Sequence, residues 1–295
     1  MNWNYATIVR FFDPGAEIRK PWNEKDFHDR FVRPVDLFLR SCSSEMQQLV
    51  VVSNGDTRFP LGEAVDQEGL TPTMRAIRKT FPIECTLGQI TLVLDKEWGN
   101  NAGSASALNL GWQTAVAAKQ VNYILSWNPE FVLSGHLVSR GLHHMEQHNL
   151  AVTGFYRRRW WERPQWAVNQ NTASLWEVSL LQSVDGFSVD CDGNDASKVV
   201  IPGTGELAQL AGMDDFDIML RVAKRTGKFP RWGMVGRSSP SVWQIDFPPG
   251  SERAEMLRIK IARQYSVMQE WAKKHFPDVE FVHLMDSFFS HLHQD

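Results

Sequence analysis

Short apolar runs alternate with amphipathic stretches along the first half of the chain. Apolar runs bounded by turn residues predict buried strands, whereas apolar residues three or four positions apart predict helices. Strands are predicted over residues 5–12, 49–53, 90–94, 122–126 and 151–156. Helices are predicted over residues 24–41, 71–80, 104–119 and 133–149, the first with a kink or a break at Pro34.

Strands that alternate with helices predict βαβ units and an α/β protein with a mainly parallel sheet. Continuous apolar runs such as residues 49–53 fit this class, because parallel strands are buried on both faces. Ligands of such sheets bind beyond the carboxyl ends of the strands. The functional site is therefore expected after Phe12, Val52, Leu94 and Ser126.

The second half of the chain is less regular. Its pattern predicts helices over residues 174–183, 214–226 and 251–275, and a long loop over residues 185–205. The helix at 214–226 begins with acidic residues, as the helix dipole favours, and Gly227 suits its end. We expect one domain over residues 1–250 and a C-terminal helical extension, residues 251–295, that packs on it.

Composition is that of an ordinary globular protein, since 43% of the residues are hydrophobic and 22% are charged. The net charge of −3 provides no basic surface, so no nucleic-acid partner is expected. Cys42, Cys85 and Cys191 lack metal-ligand spacing and are expected to be buried free thiols. No signal peptide or spanning segment is recognisable, which favours a cytoplasmic protein and leaves peripheral membrane contact open.

Small residues fill the stretch 101–111, Asn-Ala-Gly-Ser-Ala-Ser-Ala-Leu-Asn-Leu-Gly. Such residues let a ligand or another backbone segment approach closely. A helix that begins near Gly103 would also direct unpaired amides towards an anionic group. An Ala-rich helix packed tightly on the sheet is the alternative, and the sequence favours neither.

Two other stretches carry carboxylates at places where chemistry is expected. Asn128-Pro129-Glu130 follows a predicted strand, and Glu130 would suit Mg²⁺ or Mn²⁺; an ordinary surface turn is the alternative. Asp214, Asp215 and Asp217 crowd one predicted helix start, where a simple capping role is the alternative. Carboxylates so close together would raise the pKa of one member, which could then act as a general base.

In this order the motifs resemble those of inverting family 2 glycosyltransferases with the GT-A fold, particularly the rhamnosyltransferase-like branch. The family pattern is Asp-Asn-Gly-Ser, Asn-x-Gly-x-x-x-Ala-x-Asn-x-Gly, Asn-Pro-Asp, Gly-Gly-Phe and Glu-Asp-x-Asp-Leu-x-x-Arg. The matching stretches here are Ser53-Asn54-Gly55-Asp56, residues 101–111, Asn128-Pro129-Glu130, Asp185-Gly186-Phe187, and Asp214-Asp215-Phe216-Asp217 with Arg221. The resemblance covers roughly residues 6–241 and implies a GT-A-like, Rossmann-related sheet flanked by helices, with an irregular acceptor side.

The resemblance implies a nucleotide-diphosphate sugar as donor and a divalent metal, Mg²⁺ or Mn²⁺, as cofactor. Residues implied on the donor side are Phe12, Asp13, Ser53, Asn54, Asn101, Gly103, Asn128 and Glu130, with Glu130 as the metal ligand. Those implied on the acceptor side are Asp185, Gly186, Phe187 and Asp214. Asp215 would deprotonate a hydroxyl of a saccharide or lipid-linked acceptor, which would then displace the nucleoside diphosphate.

The chain departs from the family pattern at four places. Ser53 stands where the family has an aspartate that contacts the base, Glu130 replaces an aspartate, and Asp185 replaces a glycine. No metal-binding histidine follows the predicted catalytic helix. Arg237 lies in the matching region and could neutralise a diphosphate without a metal.

Other functions stay open at this point. The departures would suit a catalytically inactive GT-A-like domain that binds a nucleotide sugar or a protein. A nucleotidyltransferase is less favoured, because no basic Gly-rich loop follows the first strand. His144 and His148 have the spacing of metal ligands on a helix, but without an HExxH pattern they are expected on an exposed polar face.

Overall fold

The computed structural model describes residues 3–11, 28–42, 45–54, 68–97, 104–129, 133–155, 173–187, 214–228, 230–235 and 283–285. The strands in these ranges are β1 (Tyr5–Phe11), β2 (Met46–Asn54), β3 (Ile90–Asp95), β4 (Tyr123–Trp127), β5 (Val152–Phe155), β6 (Ala173–Glu177), β7 (Trp232–Val235) and β8 (His283–Met285). The helices are α1 (Arg33–Ser41), α2 (Pro72–Thr80), α3 (Pro82–Thr86), α4 (Ser104–Ala118), α5 (Gly135–His148), α6 (Val178–Ser183) and α7 (Asp214–Thr226). A π-helical turn, His28–Val32, precedes α1.

The described strands form one sheet in the order β3-β2-β1-β4-β6-β5-β7-β8. Only β6 runs against its neighbours β4 and β5, and the other neighbouring pairs are parallel. The expected α/β class with a mostly parallel sheet is confirmed. The strands β1 to β5 lie within a few residues of their predicted bounds, because continuous apolar runs are a strong strand signal.

Helices cover both faces of the sheet. One face packs against α4, α6 and α7, through buried residues such as Leu108, Leu181 and Ile218. The other face packs against α1, α2 and α5, through residues such as Phe38 and Ile77. Since both faces are covered, most residues of the central strands are buried, as the apolar run of β2 predicts.

Residues at the helix ends explain where the helices begin and stop. The side chain of Thr71 accepts a hydrogen bond from the amide of Met74 at the start of α2, and Ser134 does the same for Leu137 at the start of α5. Asn149 ends α5 in the left-handed conformation, with φ of 52°. Such caps satisfy amides and carbonyls that the helix itself leaves without partners.

The predicted helix over residues 174–183 is wrong in its first half. Residues Ala173–Glu177 form β6, which fills the sheet between β4 and β5, and only Val178–Ser183 is helical. Because β6 is buried on both faces, its residues show no alternation, and periodicity does not distinguish such a strand from a buried helix.

The C-terminal region contributes one short strand to the described structure. β8 pairs with β7 and lies inside the segment predicted as a helical extension. The predicted helix over residues 251–275 lies outside the described residues, so the division at residue 250 stays a prediction. Among the described residues, no helix combines the length and the apolar character needed to cross a bilayer.

The burial of two cysteines and of His144 differs from the sequence-based expectation. Cys42 and Cys85 are free thiols but are half-buried, and Cys191 lies outside the described residues. Cys42 accepts a hydrogen bond from the Tyr5 hydroxyl at 3.6 Å, and burial raises the pKa of the Cys42 thiol to about 11. His144 is buried, contrary to the expected exposed face, because its side of α5 packs towards the sheet.

Candidate functional site

Four parallel strands end side by side at one edge of the sheet. In spatial order their last residues are Asp95 of β3, Asn54 of β2, Phe11 of β1 and Trp127 of β4. Neighbouring strands lie about 4.8 Å apart, so this edge spans roughly 14 Å from β3 to β4. The segments expected to hold the site therefore meet at a common edge, as the parallel sheet predicted.

The direction of the chain through the sheet reverses between β1 and β4. The order β1, β2, β3 proceeds to one side, and β4 then returns to the opposite side of β1. The connecting helices change face at the same point: α1 and α2 pack on one face, and α4 packs on the other. Such a switch point opens a crevice beyond the strand ends, which is the usual ligand position in doubly wound sheets.

Asn128 lies at this switch point, directly after β4, and is half-buried. Pro129 follows it and is buried. The strand ends one residue later than predicted, because Trp127 is fully buried and still pairs with β1 and β6. Phe12 and Asp13 follow β1 in the sequence and Glu130 follows Pro129, but all three lie outside the described residues.

Ser53 and Asn54, at the end of β2, are both buried polar residues. The Ser53 hydroxyl forms a 2.8 Å hydrogen bond with the hydroxyl of Thr71. Thr71 in turn accepts the amide of Met74 at 3.2 Å and so caps α2. Ser53 therefore contributes to fixing α2 against the sheet.

Asp95 is a candidate that the sequence analysis missed. It ends β3 in register with Asn54 and exposes only 3% of its surface. Its Oδ1 accepts the backbone amide of Glu97 at 3.0 Å. Among the acidic residues whose side chains the structure describes, it is the one that is buried. Its position directly after the apolar run 90–94 was a usable signal, because carboxyl ends of parallel strands border ligand sites.

The small residues of α4 pack against the sheet. Ala105, Ala107 and Ala115 are fully buried in the core on that face. A Cβ atom on Gly111 would lie 2.5 Å from Cγ2 of Ile8 on β1, so only glycine allows this approach. For the helical part of the stretch 101–111 the packing alternative is therefore correct, while Asn101 and Gly103 lie outside the described residues.

Asn109 of the same helix holds the turn Asp185-Gly186-Phe187. Its Oδ1 accepts the Phe187 amide, and its Nδ2 donates to the Phe187 carbonyl, both at 2.7 Å. The same Oδ1 also accepts the indole N–H of Trp112 at 3.2 Å. Asp185 and Gly186 are consecutive residues with positive φ, 57° and 81°. Aspartate is among the few side chains that tolerate the left-handed conformation, which is consistent with Asp185 at a place where the resembled pattern has a glycine.

Helix α7 contacts the opposite side of this turn through two arginines. The Arg221 guanidinium donates to the carbonyls of Val184 and Gly186, the latter at 2.5 Å. Arg225 donates to the carbonyl of Ser183. Three of the five sequence motifs, namely residues 101–111, 185–187 and 214–221, are thus joined by direct hydrogen bonds.

The start of α7 carries Asp214 and Asp215, whose backbone is described and whose side chains lie outside the described part. α7 ends at Thr226, a few residues before β7 begins, and β7 begins at the amino ends of the parallel strands. Because thirteen helical residues span about 20 Å, the start of α7 is directed back towards the carboxyl ends of the strands. Arg237 lies outside the described residues.

Metal ligands are sparse in the part of the site that is described. No group of three His, Cys, Asp or Glu side chains comes together within the described ranges. At the switch point the described residues include the side-chain amide of Asn128, while the predicted ligand Glu130 lies outside the described residues. Metal binding by Glu130 therefore stays a prediction.

Comparisons with known proteins give distant structural likenesses. No family model and no curated protein matches the chain. The crystal structure of S. aureus TarS aligns with a TM-score of 0.48 and 11% identity, over 94% of this chain and 44% of that chain. TarS 1-349 in complex with UDP-GlcNAc aligns with a TM-score of 0.45 and 10% identity, over 94% of this chain and 73% of that chain. The alignment with a further TarS 1-349 structure covers 55% of that chain. At these scores the likeness assigns no function to this chain.

Proposed function

We propose that this chain is an inverting glycosyltransferase that moves a sugar from a nucleotide-diphosphate sugar to an acceptor hydroxyl. The donor would lie across the strand ends from Asp95 to Asn128, and Asp215 would be the general base. The acceptor would approach over Asp185, Gly186, Phe187 and Asp214. A saccharide or a lipid-linked saccharide is the acceptor class that the family resemblance implies.

One observation carries this proposal. Residues of five separate motifs, in the order of the family pattern, lie at the switch point, at the neighbouring strand end or in the hydrogen-bonded contact between α4, the 185–187 turn and α7. Motifs that matched by chance would be scattered over the surface. Their placement at neighbouring strand ends and in one hydrogen-bonded contact supports a common role.

The proposed reaction is a single displacement at the anomeric carbon. Asp215 takes the proton of the acceptor hydroxyl, and the hydroxyl oxygen attacks the anomeric carbon. The bond from that carbon to the diphosphate oxygen breaks, and the nucleoside diphosphate leaves with the electron pair. A bound Mg²⁺ or Mn²⁺ would neutralise the leaving charge, with Glu130 as its proposed ligand, and Arg237 is the proposed alternative cation.

Binding and turnover with several donors test the proposal. UDP-GlcNAc is the first donor to try, because one of the similar structures holds it. Calorimetry with UDP-, GDP- and dTDP-linked sugars, with and without Mn²⁺, should detect binding of at least one. Release of the nucleoside diphosphate should then depend on an acceptor saccharide. Absence of binding by every donor in both conditions would refute the proposal.

Asp95 is proposed to supply the base-binding carboxylate that Ser53 lacks. It is buried at the end of the neighbouring strand, in register with Asn54, the residue that follows Ser53. A carboxylate accepts N–H groups of a nucleobase, and hydrogen bonds to charged groups contribute about 1.5–3 kcal/mol. We therefore expect Asp95→Asn to raise the donor's Kd by about 10- to 100-fold, as measured by calorimetry with the nucleoside diphosphate.

Asp36→Asn is the matched control for that substitution. Asp36 forms an ion pair with Arg40 at 2.8 Å on α1, which packs on the sheet face opposite to α4. This change removes the same charge and should leave the donor's Kd unchanged. A Kd for Asp95→Asn equal to that of the control would exclude Asp95 from the donor site.

A second candidate is a catalytically inactive domain that binds a nucleotide sugar. The hydrogen bond between Ser53 and Thr71 favours it, because a hydroxyl that binds the capping residue of α2 stands where the family pattern has a carboxylate of the donor site. Tight donor binding without turnover, over a broad panel of acceptor saccharides, would support this candidate over the first.

A further inference from the structure

The turn that connects α6 to residue 187 is bound by side chains of two other helices, in addition to its own backbone hydrogen bonds to the Leu181 carbonyl. Two consecutive residues in it, Asp185 and Gly186, are in the left-handed conformation. The carbonyl groups that accept from neighbouring helices are those of Ser183, Val184, Gly186 and Phe187. A turn with this many external bonds has a fixed position relative to both helices.

Arg221 makes the central connection from α7. Its two terminal nitrogens donate to the carbonyls of Val184 and Gly186, which lie two residues apart in the turn. Only the planar guanidinium fork presents two fixed donors in this way, and the single ammonium of lysine does not reproduce it. Arg225, one turn later on α7, reaches only the Ser183 carbonyl and is exposed.

Asn109 completes the connection on the side of α4. It holds the backbone N–H and C=O of Phe187 together, as a neighbouring strand would. The described contacts therefore run from α4 through the turn to Arg221 of α7. α4 begins at Ser104, directly after the donor residues Asn101 and Gly103 that the family resemblance implies.

We propose that Arg221 is a positioning residue that fixes the start of α7, and with it Asp215, relative to the donor site. The inference rests on the proposed function for the role of Asp215. Arg221 and Asp215 are six positions apart on one helix, about 9 Å along its axis, so a shift at one is transmitted to the other. A misplacement of about 1 Å at a reacting group lowers rates by up to 10²-fold.

The matched pair Arg221→Lys and Arg225→Lys tests this role. Both variants keep the positive charge on the same helix, and only the first loses a two-point connection to the turn. For Arg221→Lys we expect kcat to fall at least tenfold while the KM for the donor stays within about twofold. Arg225→Lys should keep both constants near their original values. Equal loss in the two variants would overturn the proposal.

A double-mutant cycle distinguishes positioning from general stabilisation. If Arg221 acts through Asp215, Arg221→Lys should have no further effect on donor turnover in an Asp215→Asn background. A merely structural role would lower the rate by the same factor in both backgrounds. Such independence of the two effects would contradict the inference.

Hydrogen–deuterium exchange gives a readout that needs no turnover. Arg221→Lys should speed amide exchange at least tenfold in peptides covering residues 184–187 and 214–221, whereas Arg225→Lys should not. Unchanged exchange in Arg221→Lys would refute the inference even if the enzyme transfers sugar. A wild-type protein without turnover, together with the expected exchange, would instead refute the proposed function and keep the positional role of Arg221.

Discussion

Asp215→Asn is expected to lower the kcat of sugar transfer about 10³-fold, within the range that a positioned general base contributes. Asparagine has the same shape but cannot take the proton of the acceptor hydroxyl. The donor's Kd should stay unchanged, because asparagine conserves the volume of the side chain. The Tm should fall by only a few degrees, because loss of one carboxylate in the first turn of α7 costs about 0.3–1 kcal/mol. Initial rates of nucleoside diphosphate release measure the effect, and calorimetry and thermal unfolding check the other two quantities.

Asp217→Asn is the control for the charge of this helix start. Both carboxylates lie in the first turn of α7, where the helix dipole stabilises either of them. Removal of Asp217 should therefore change stability as Asp215→Asn does, but leave kcat near its original value. Equal losses of activity would assign the effect to charge rather than to a base. Full activity in Asp215→Asn would remove Asp215 from the mechanism.

The strands of the first half could be predicted because each is a continuous apolar run. β2, for example, is buried from Gln48 to Asn54, and its apolar residues 49–52 already predict a strand that is covered on both faces. β6 could not be predicted, because its Ser-Leu-Trp-Glu pattern suits a buried helix as well as a strand. The position of β6 between β4 and β5 depends on contacts between distant segments, which local pattern does not encode.

The candidate site was predictable to the extent that it follows from parallel strands. Asn54 and Asn128 lie at the carboxyl edge because each directly follows or ends an apolar run. The switch point between β1 and β4 could not be read from the sequence, since it depends on the order of the strands in space.

The role of Asn109 was not predictable from its own neighbourhood. The small residues around it suggested a ligand contact, whereas its side chain binds the backbone of Phe187, a residue 78 positions away. A side-chain amide that pairs with a distant backbone leaves no periodic signal. The resemblance nevertheless grouped Asn109, Gly186 and Arg221 in one family pattern, and the hydrogen bonds give that grouping a physical reason.

Gly186→Ala is expected to lower the free energy of unfolding by about 3 kcal/mol. Gly186 has φ of 81°, and the left-handed conformation costs an L-residue about 1–2 kcal/mol. A Cβ atom would also lie 2.7 Å from Nε1 of Trp112 and still closer to Oδ1 of Asn109. Overpacking of this kind adds about 1–3 kcal/mol. Thermal unfolding should show a Tm lower by roughly 6–12 °C.

Gly88→Ala separates the two parts of this cost. Gly88 has a similar φ of 70°, but nothing lies within 4 Å of the place where its Cβ would be. This variant should lose only the conformational part, about 1–2 kcal/mol. Equal Tm values for the two variants would mean that Asn109 and Trp112 move aside without cost. A larger loss in Gly186→Ala, with reduced kcat and an unchanged donor Kd, would instead show that the turn must stay fixed for Asp215 to act.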